Sequence, residues 1–154
     1  MTGIDFIADT NALIYLLGGN TCMSACLQKN LSFSVISEME LLSYSGITHQ
    51  EETTIKSLLS DCIELYLSKQ IKDKTIEIRK KYRLKLPDAI IAASAIVNNI
   101  PLITADKEFQ QISELKLELV VPVAWLKYTK ILETYEINCL KKAIIGLDGG
   151  GDIW

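Results

Sequence analysis

The sequence predicts an α/β domain built on a mainly parallel sheet, and two observations carry that expectation. Short apolar runs of strand length alternate with longer segments whose apolar residues recur at helical spacing, the order that parallel strands joined by crossover helices require. The chain has 154 residues, 49% of them hydrophobic, enough to bury one substantial core.

The first strand is expected over Ile4 to Ala8, and the first helix over Asn11 to Leu17, stopped by Gly18-Gly19. A short helix is expected at about Cys22 to Lys29. Leu31 to Val35 reads as the second strand, after which Ser37 opens a helix running towards Tyr44 and stopping near Gly46. Thr48 to Ser60 reads as another helix and Cys62 to Leu67 as a short strand. Ser68 to Tyr82 places Ile71, Thr75, Ile78 and Tyr82 at helical spacing. Pro87 to Val97 is a strongly apolar helix with its proline in the first turn, where the missing N–H costs nothing, and Asn98-Asn99 ends it. Pro101 to Thr104 and Leu119 to Val123 complete the strands. The domain is therefore expected over 1–124, with a helical extension over 125–145 and a flexible glycine-rich tail over 146–154, whose Ile153-Trp154 end is apolar enough to dock on a partner.

A net charge of −3 and a pI near 5.2 argue against nucleic-acid binding by bulk electrostatics. They leave room for an enzyme whose acids gather at a metal site. No apolar run reaches the roughly 20 residues that span a bilayer, and the first residues do not read as a signal peptide. A cytoplasmic, non-membrane protein is the expectation. The mean hydropathy of +0.21 is high for a small soluble domain and points to self-association. Cys22, Cys26, Cys62 and Cys139 lack zinc-site spacing and read as structural thiols. The single histidine, His49, rules out a two-histidine ribonuclease and has no motif around it to support a hydrolase triad. No phosphate-binding glycine loop is present.

In an open parallel sheet, function gathers at the carboxyl ends of the strands. Asp9 directly follows the first strand, Asp106 follows the Leu102-Ile103-Thr104 strand by two residues, and Glu40 is expected in the first turn of the helix leaving the second strand. Asp88 starts a helix that must feed the next strand's amino end, so the start of that helix lies at the carboxyl edge. Four carboxylates thus face one cleft. Such a cluster repels itself, and hard divalent cations, Mg²⁺ or Mn²⁺, relieve the repulsion through oxygen ligands and can polarise a phosphodiester.

The same residues fall in blocks that resemble a known family. Asp9-Thr10-Asn11-Ala12-Leu13-Ile14-Tyr15, the segment Ser34 to Tyr44, Leu86-Pro87-Asp88-Ala89-Ile90-Ile91-Ala92-Ala93-Ser94-Ala95 and Leu102-Ile103-Thr104-Ala105-Asp106-Lys107-Glu108-Phe109 are similar to the four blocks of PIN-domain proteins, in wording and length of the VapC toxin type. The resemblance covers about residues 4 to 123. It implies a three-layer α/β/α fold, endoribonuclease activity with Mg²⁺ or Mn²⁺, a homodimer, and neutralisation by a small cognate antitoxin. It assigns the catalytic and metal-holding role to Asp9, Glu40, Asp88 and Asp106, and a supporting hydroxyl to Thr104.

Each acid also has a structural reading. Asp9 can cap the following helix. Ser37 and Glu40 have capping-box spacing, and Glu38 is the substitute ligand if Glu40 caps. Asp88 suits a helix dipole, and Asp106 is a loop aspartate after a strand. Asn11 either steadies the site or opens its helix. Arg79, Lys80, Lys81, Arg83, Lys85 and Lys107 are the local cations that could contact RNA phosphates, or a solvated helix end. The alternative to an enzyme is a non-catalytic PIN-like module that binds RNA or a protein. Asp9 as a phosphotransfer nucleophile is disfavoured, because Asn11 stands where such enzymes carry a second acid.

Overall fold

The computed structural model describes residues 3–123. Five strands, β1 (Phe6–Ala8), β2 (Leu31–Ser34), β3 (Ile63–Leu65), β4 (Leu102–Thr104) and β5 (Leu117–Leu119), form one sheet in the order β3-β2-β1-β4-β5. Every neighbouring pair is parallel. The helices are α1 (Thr10–Leu17), α2 (Val35–Leu42), α3 (His49–Ser60), α4 (Lys69–Lys81) and α5 (Leu86–Asn98), with 3₁₀ turns at Thr21–Cys26 and Lys107–Gln111.

Strand alternation divides the core into two layers. Ile7 and Leu102 point into one cluster, with Ile71 and Ile78 of α4, Ala89, Ala92 and Ala93 of α5, Phe109 and Ile112. Ala8 and Ile103, the next residues along, point into the other, with Leu13 of α1, Met23, Leu41 of α2 and Ile55 and Leu59 of α3. The result is a three-layer α/β/α fold. The alanine face of α5 lets α4 approach closely, and Thr75 and Ser94 return their buried hydroxyls to Ile71 and Ile90 carbonyls at 2.7 and 2.8 Å, so no polar atom is stranded there.

Local chemistry sets the ends of the helices. Thr48 and Glu51 form a reciprocal capping box on α3. The Ser68 Oγ accepts from the Ile71 N–H to start α4, whose last turn carries Arg79, Lys80 and Lys81 against the negative end of the dipole. Asn99 takes a left-handed φ of 54° after α5, and the Ile100 N–H then reaches the Ala95 carbonyl at 3.0 Å.

Four sequence expectations shift. The stretch 22–29 is not a helix but the 3₁₀ turn Thr21–Cys26, capped by the buried Asn20. The helix after β2 starts at Val35, capped by Ser34, so Ser37 is a buried first-turn residue of α2 and not its cap. The last strand is Leu117–Leu119, two residues early, because pairing with β4 aligns Leu102 with Leu117 and Thr104 with Leu119. Among the described cysteines only Cys26 is buried, while Cys22 and Cys62 are half-buried. The expected extension over 125–145, the tail over 146–154 with Ile153-Trp154, and Cys139 lie outside the described residues. No helix among the described residues is long and apolar enough to cross a membrane.

Candidate active site

All five strands run the same way, so one edge of the sheet collects the residues that follow them. Asp9 leaves β1 at this edge and is 4% exposed. Its Oδ1 accepts the Ala12 N–H at 2.7 Å, capping α1. Its Oδ2 accepts the hydroxyl of Thr104, the last residue of β4, at 2.5 Å. The register of β1 against β4, Ala8 opposite Ile103, brings those two residues together, and the Asp9 N–H bonds the Ile103 carbonyl at 3.3 Å. Thr104 Oγ1 in turn accepts the Asp106 N–H at 2.9 Å, which ties the loop carrying Asp106 to the Asp9 carboxyl. Asp106 Oδ1 accepts the Glu108 N–H at 2.8 Å and so starts the Lys107–Gln111 turn. Asp9 and Asp106 thus hold structural caps, with oxygen lone pairs to spare.

Glu40 does not cap. With α2 beginning at Val35, it lies in the helix body, where its Oε2 accepts the Thr10 hydroxyl. That hydroxyl also lies 3.1 Å from the Ser37 hydroxyl. Asp88 stands in the first turn of α5 and is half-buried. Glu38 is not its neighbour; Glu40 is, and Glu38 lies instead beside Tyr66.

The electrostatics show how the four acids share this edge. Burial pushes the Asp9 carboxyl up to about 7 despite the hydrogen bonds from Thr104 and Ala12, and the charges of Asp106 and Asp88 add to the rise. Burial likewise pushes Asp88 up to about 6, and Asp106, Glu40 and Glu108 push it further, with Lys85 the cation opposing them. Glu40 is raised by burial against its hydrogen bond from Thr10. The chain therefore brings Asp9, Asp88 and Asp106 within one another's fields, and Glu40 within that of Asp88.

The donor set is all oxygen and mutually repelling, which fits a hard divalent cation in chemistry and in charge. Among the described residues, no three His, Cys, Asp or Glu side chains stand close enough together to hold an ion as they are, so closure on one requires side-chain rotation. Asn11 lies in the first turn of α1, half-buried. Arg79, Lys80 and Lys81 are exposed in the last turn of α4, Arg83 and Lys85 are exposed in the connection to α5, and Lys107 is exposed beside Asp106. Lys81 is occupied, 3.9 Å from Glu114 and 5.1 Å from the centre of the Tyr82 ring. Sequence reasoning missed Thr10, which holds Glu40, and Glu108, which adds charge at Asp88. The signal for Thr10 was its place directly after Asp9 at a strand end; for Glu108, its place two residues after Asp106.

The profile of the PIN-domain family matches residues 6–115. The chain belongs to the PIN-domain family. Its fold is similar to a toxin–antitoxin complex from Klebsiella pneumoniae, at 30% identity and a TM-score of 0.63, with 72% of this chain and 95% of that chain covered. It is also similar to VapBC-1 from nontypeable Haemophilus influenzae, at 25% identity and a TM-score of 0.66, with 75% and 98% covered. VapBC2 from Rickettsia felis, bound to a DNA fragment from its promoter, shares the fold at 22% identity and a TM-score of 0.67, with 77% and 100% covered. No curated protein sequence gives a match. This PIN domain matches nearly the whole length of the chains in those structures.

Proposed function

We propose that this PIN domain is a Mg²⁺- or Mn²⁺-dependent endoribonuclease, the toxin of a toxin–antitoxin pair, working in the cytoplasm as a homodimer with a cognate antitoxin protein as partner. The observation that carries the reading is the Asp9 carboxyl at the carboxyl edge of the sheet, nearly fully buried, within the fields of Asp106 and Asp88, and raised to about 7 chiefly by burial. Keeping so unfavourable a group at a sheet edge is intelligible if a cation compensates it. Similarity to the toxin–antitoxin complex from Klebsiella pneumoniae and to VapBC-1 supports the toxin assignment.

Asp9 and Asp88 are the residues to hold a first ion, with Glu40 and Asp106 completing its shell. A bound Mg²⁺ or Mn²⁺ supplies charge at the scissile phosphate and an activated water. Thr104 orients Asp9 and favours its ionised form, since its hydroxyl donates to the oxygen that does not cap the helix. Thr10 does the same for Glu40. Lys85 and Lys107, beside Asp88 and Asp106, draw the phosphates in, and Arg79, Lys80 and Arg83 extend the cationic path along the end of α4. Asn11 lies close enough in sequence to Asp9 to steady it.

A second reading, a PIN domain that binds RNA or protein without cutting, is favoured by one observation. The acids do not stand in ligand geometry among the described residues. Cleavage of total tRNA and of a generic single-stranded RNA decides between them, run with Mg²⁺, Mn²⁺ or EDTA on wild type and Asp9→Asn. Metal-dependent cutting that the variant loses is the expected result. Cutting that survives Asp9→Asn sinks the assignment, and absence of both cutting and millimolar-range metal binding moves the protein to the binding reading.

A further inference from the structure

We propose that the exposed surface of Tyr66 and Met39 is a subsite for an unpaired nucleobase of the RNA, one or two nucleotides from the bond cleaved at the acidic edge. The inference rests on the ribonuclease reading and adds a specificity element to it.

Placement comes from the sheet. Tyr66 is the first residue after β3, and the register of β3 with β2, Leu65 opposite Ser34, sets it at the same carboxyl edge as Asp9. Two strand spacings separate it from β1, a lateral distance of roughly 10 Å. Helix α2 stands between. Residues 38 and 40 lie about 200° apart around a helix, so they address opposite sides. Glu40 lies beside Asp88, and Glu38 beside Tyr66. Met39, the residue between them on α2, is 53% exposed.

Chemistry then selects the occupant. Tyr66 is 70% exposed and offers a free aromatic face, continued by the half-exposed Leu67. Glu64 and Glu38 set two carboxylates near Tyr66. Those two charges repel a phosphate, so the uncharged part of a nucleotide fits and the backbone does not. They also accept hydrogen bonds from base N–H groups, while the ring supplies a stacking platform. The phosphates have their own ground on the other side of the acids. Arg79, Lys80, Arg83 and Lys85 carry no ion pair among the described residues, unlike Lys74 and Lys81, which Glu114 engages. A strand crossing the edge thus sets its backbone towards α4 and α5 and a splayed base towards β3. Three exposed apolar residues suit one base better than a protein partner, which uses roughly 20–30 residues a side.

The test uses the full chain and short single-stranded RNAs that differ by one abasic nucleotide, scanned on either side of the cut. For wild type, an abasic site at one position, one or two nucleotides from the cut, is expected to raise KM about tenfold. Tyr66→Ala should raise KM for intact RNA about tenfold with kcat within about twofold, and should no longer respond to the abasic position. Tyr66→Phe, which keeps the ring, should cleave like wild type. Circular dichroism of the variants checks folding, which substitution of so exposed a side chain leaves intact. If wild type cleaves RNA but neither the abasic scan nor Tyr66→Ala changes KM, the subsite is overturned and the nuclease stands. A fall in molecular mass of Tyr66→Ala by light scattering, with cleavage of both RNAs unchanged, gives the surface to a second copy and also overturns it. Wild type that cleaves no RNA overturns the ribonuclease reading, and the subsite with it.

Discussion

Strand β1 has an aspartate just beyond each end, and the two live in opposite surroundings. Asp5, at the amino edge, is exposed; its Oδ2 accepts the Asn30 N–H at 2.9 Å, and its own N–H bonds the Asn30 carbonyl at 2.8 Å. Asn30 also donates to the Gly3 carbonyl at 2.8 Å, so the start of the chain is pinned to the start of β2. Asp9, at the carboxyl edge, is buried, faces Asp88 and Asp106, and has its carboxyl raised to about 7. One aspartate is spent on holding the fold together. The other is held by the fold in a condition that costs stability, which is the usual mark of a site kept for chemistry. Topology makes the difference, because in an all-parallel sheet only the carboxyl edge gathers helix starts and strand ends from distant parts of the chain.

Exchanging the two aspartates for asparagine gives the largest contrast. Asp9→Asn should reduce metal-dependent cleavage by about a thousandfold or more, since a carboxylate ligand is lost, whereas Asp5→Asn should leave the rate within about twofold. Equal losses from both would break the comparison at once. Stability should move the other way. Asparagine caps a helix as well as aspartate does, so at pH 8 without metal Asp9→Asn should be more stable than wild type by about 1–3 kcal/mol in urea unfolding, with the buried charge removed. Asp5→Asn should be neutral or cost about 0.5 kcal/mol.

The pH dependence sharpens the same point. A carboxyl raised in the folded state keeps its proton above the pH at which the unfolded chain has released it. Its stabilising contribution is complete below the unfolded value near 4 and is lost as pH rises through about 6 for Asp88 and about 7 for Asp9. Metal-free wild type should therefore lose stability between about pH 4 and 7, and Asp9→Asn should lose markedly less, as read from thermal unfolding at each pH. A wild-type curve that rises across this window contradicts the raised carboxyls.

A smaller effect is expected at Thr104, which is fully buried. Thr104→Val keeps the shape but removes the donor to Asp9 Oδ2, so cleavage should fall about tenfold, and the loss of stability with pH should run on to higher pH as Asp9 loses a hydrogen bond that favours its charged form. The smallest effect separates cations. Lys85→Ala should reduce the salt dependence of RNA binding by roughly 0.7 in the log–log slope, the value of one phosphate contact on a single strand. Lys81→Ala, whose charge Glu114 already engages, should leave that slope unchanged.

Much of this was legible in the residues alone, and the legible parts share a physical cause. The parallel sheet, β1, β4 and the apolar α5 followed from hydrophobic runs and periodicity, and the common edge that brings Asp9, Asp88 and Asp106 near one another followed from topology, while the shared metal-holding role of these acids with Glu40 is the proposal made above. What failed were choices between near-equivalent local signals. Ser34 and Ser37 are both good caps three residues apart, and only the immediate passage of β2 into α2 picks the first. Val120 and Val121 look more like strand than Leu117-Glu118-Leu119, yet pairing with β4 selects the earlier residues and leaves Val121 83% exposed. The six residues Thr21–Cys26 are too few to tell a 3₁₀ turn from an α-helix by periodicity. Thr10 and Tyr66 escaped because their roles depend on a neighbour 30 residues away and on exposure, which no local pattern encodes.

The central claim is that the carboxyl edge, and Asp9 in particular, is destabilised by its own charge until a divalent cation binds. Thermal unfolding of wild type and Asp9→Asn at pH 8, with and without about 5 mM Mn²⁺, a severalfold excess over a roughly millimolar-range site, tests it directly. The account predicts that Asp9→Asn melts higher than wild type without metal, and that Mn²⁺ raises wild type by several degrees while leaving the variant nearly unmoved. Equal shifts in both proteins, or none in wild type, would contradict it.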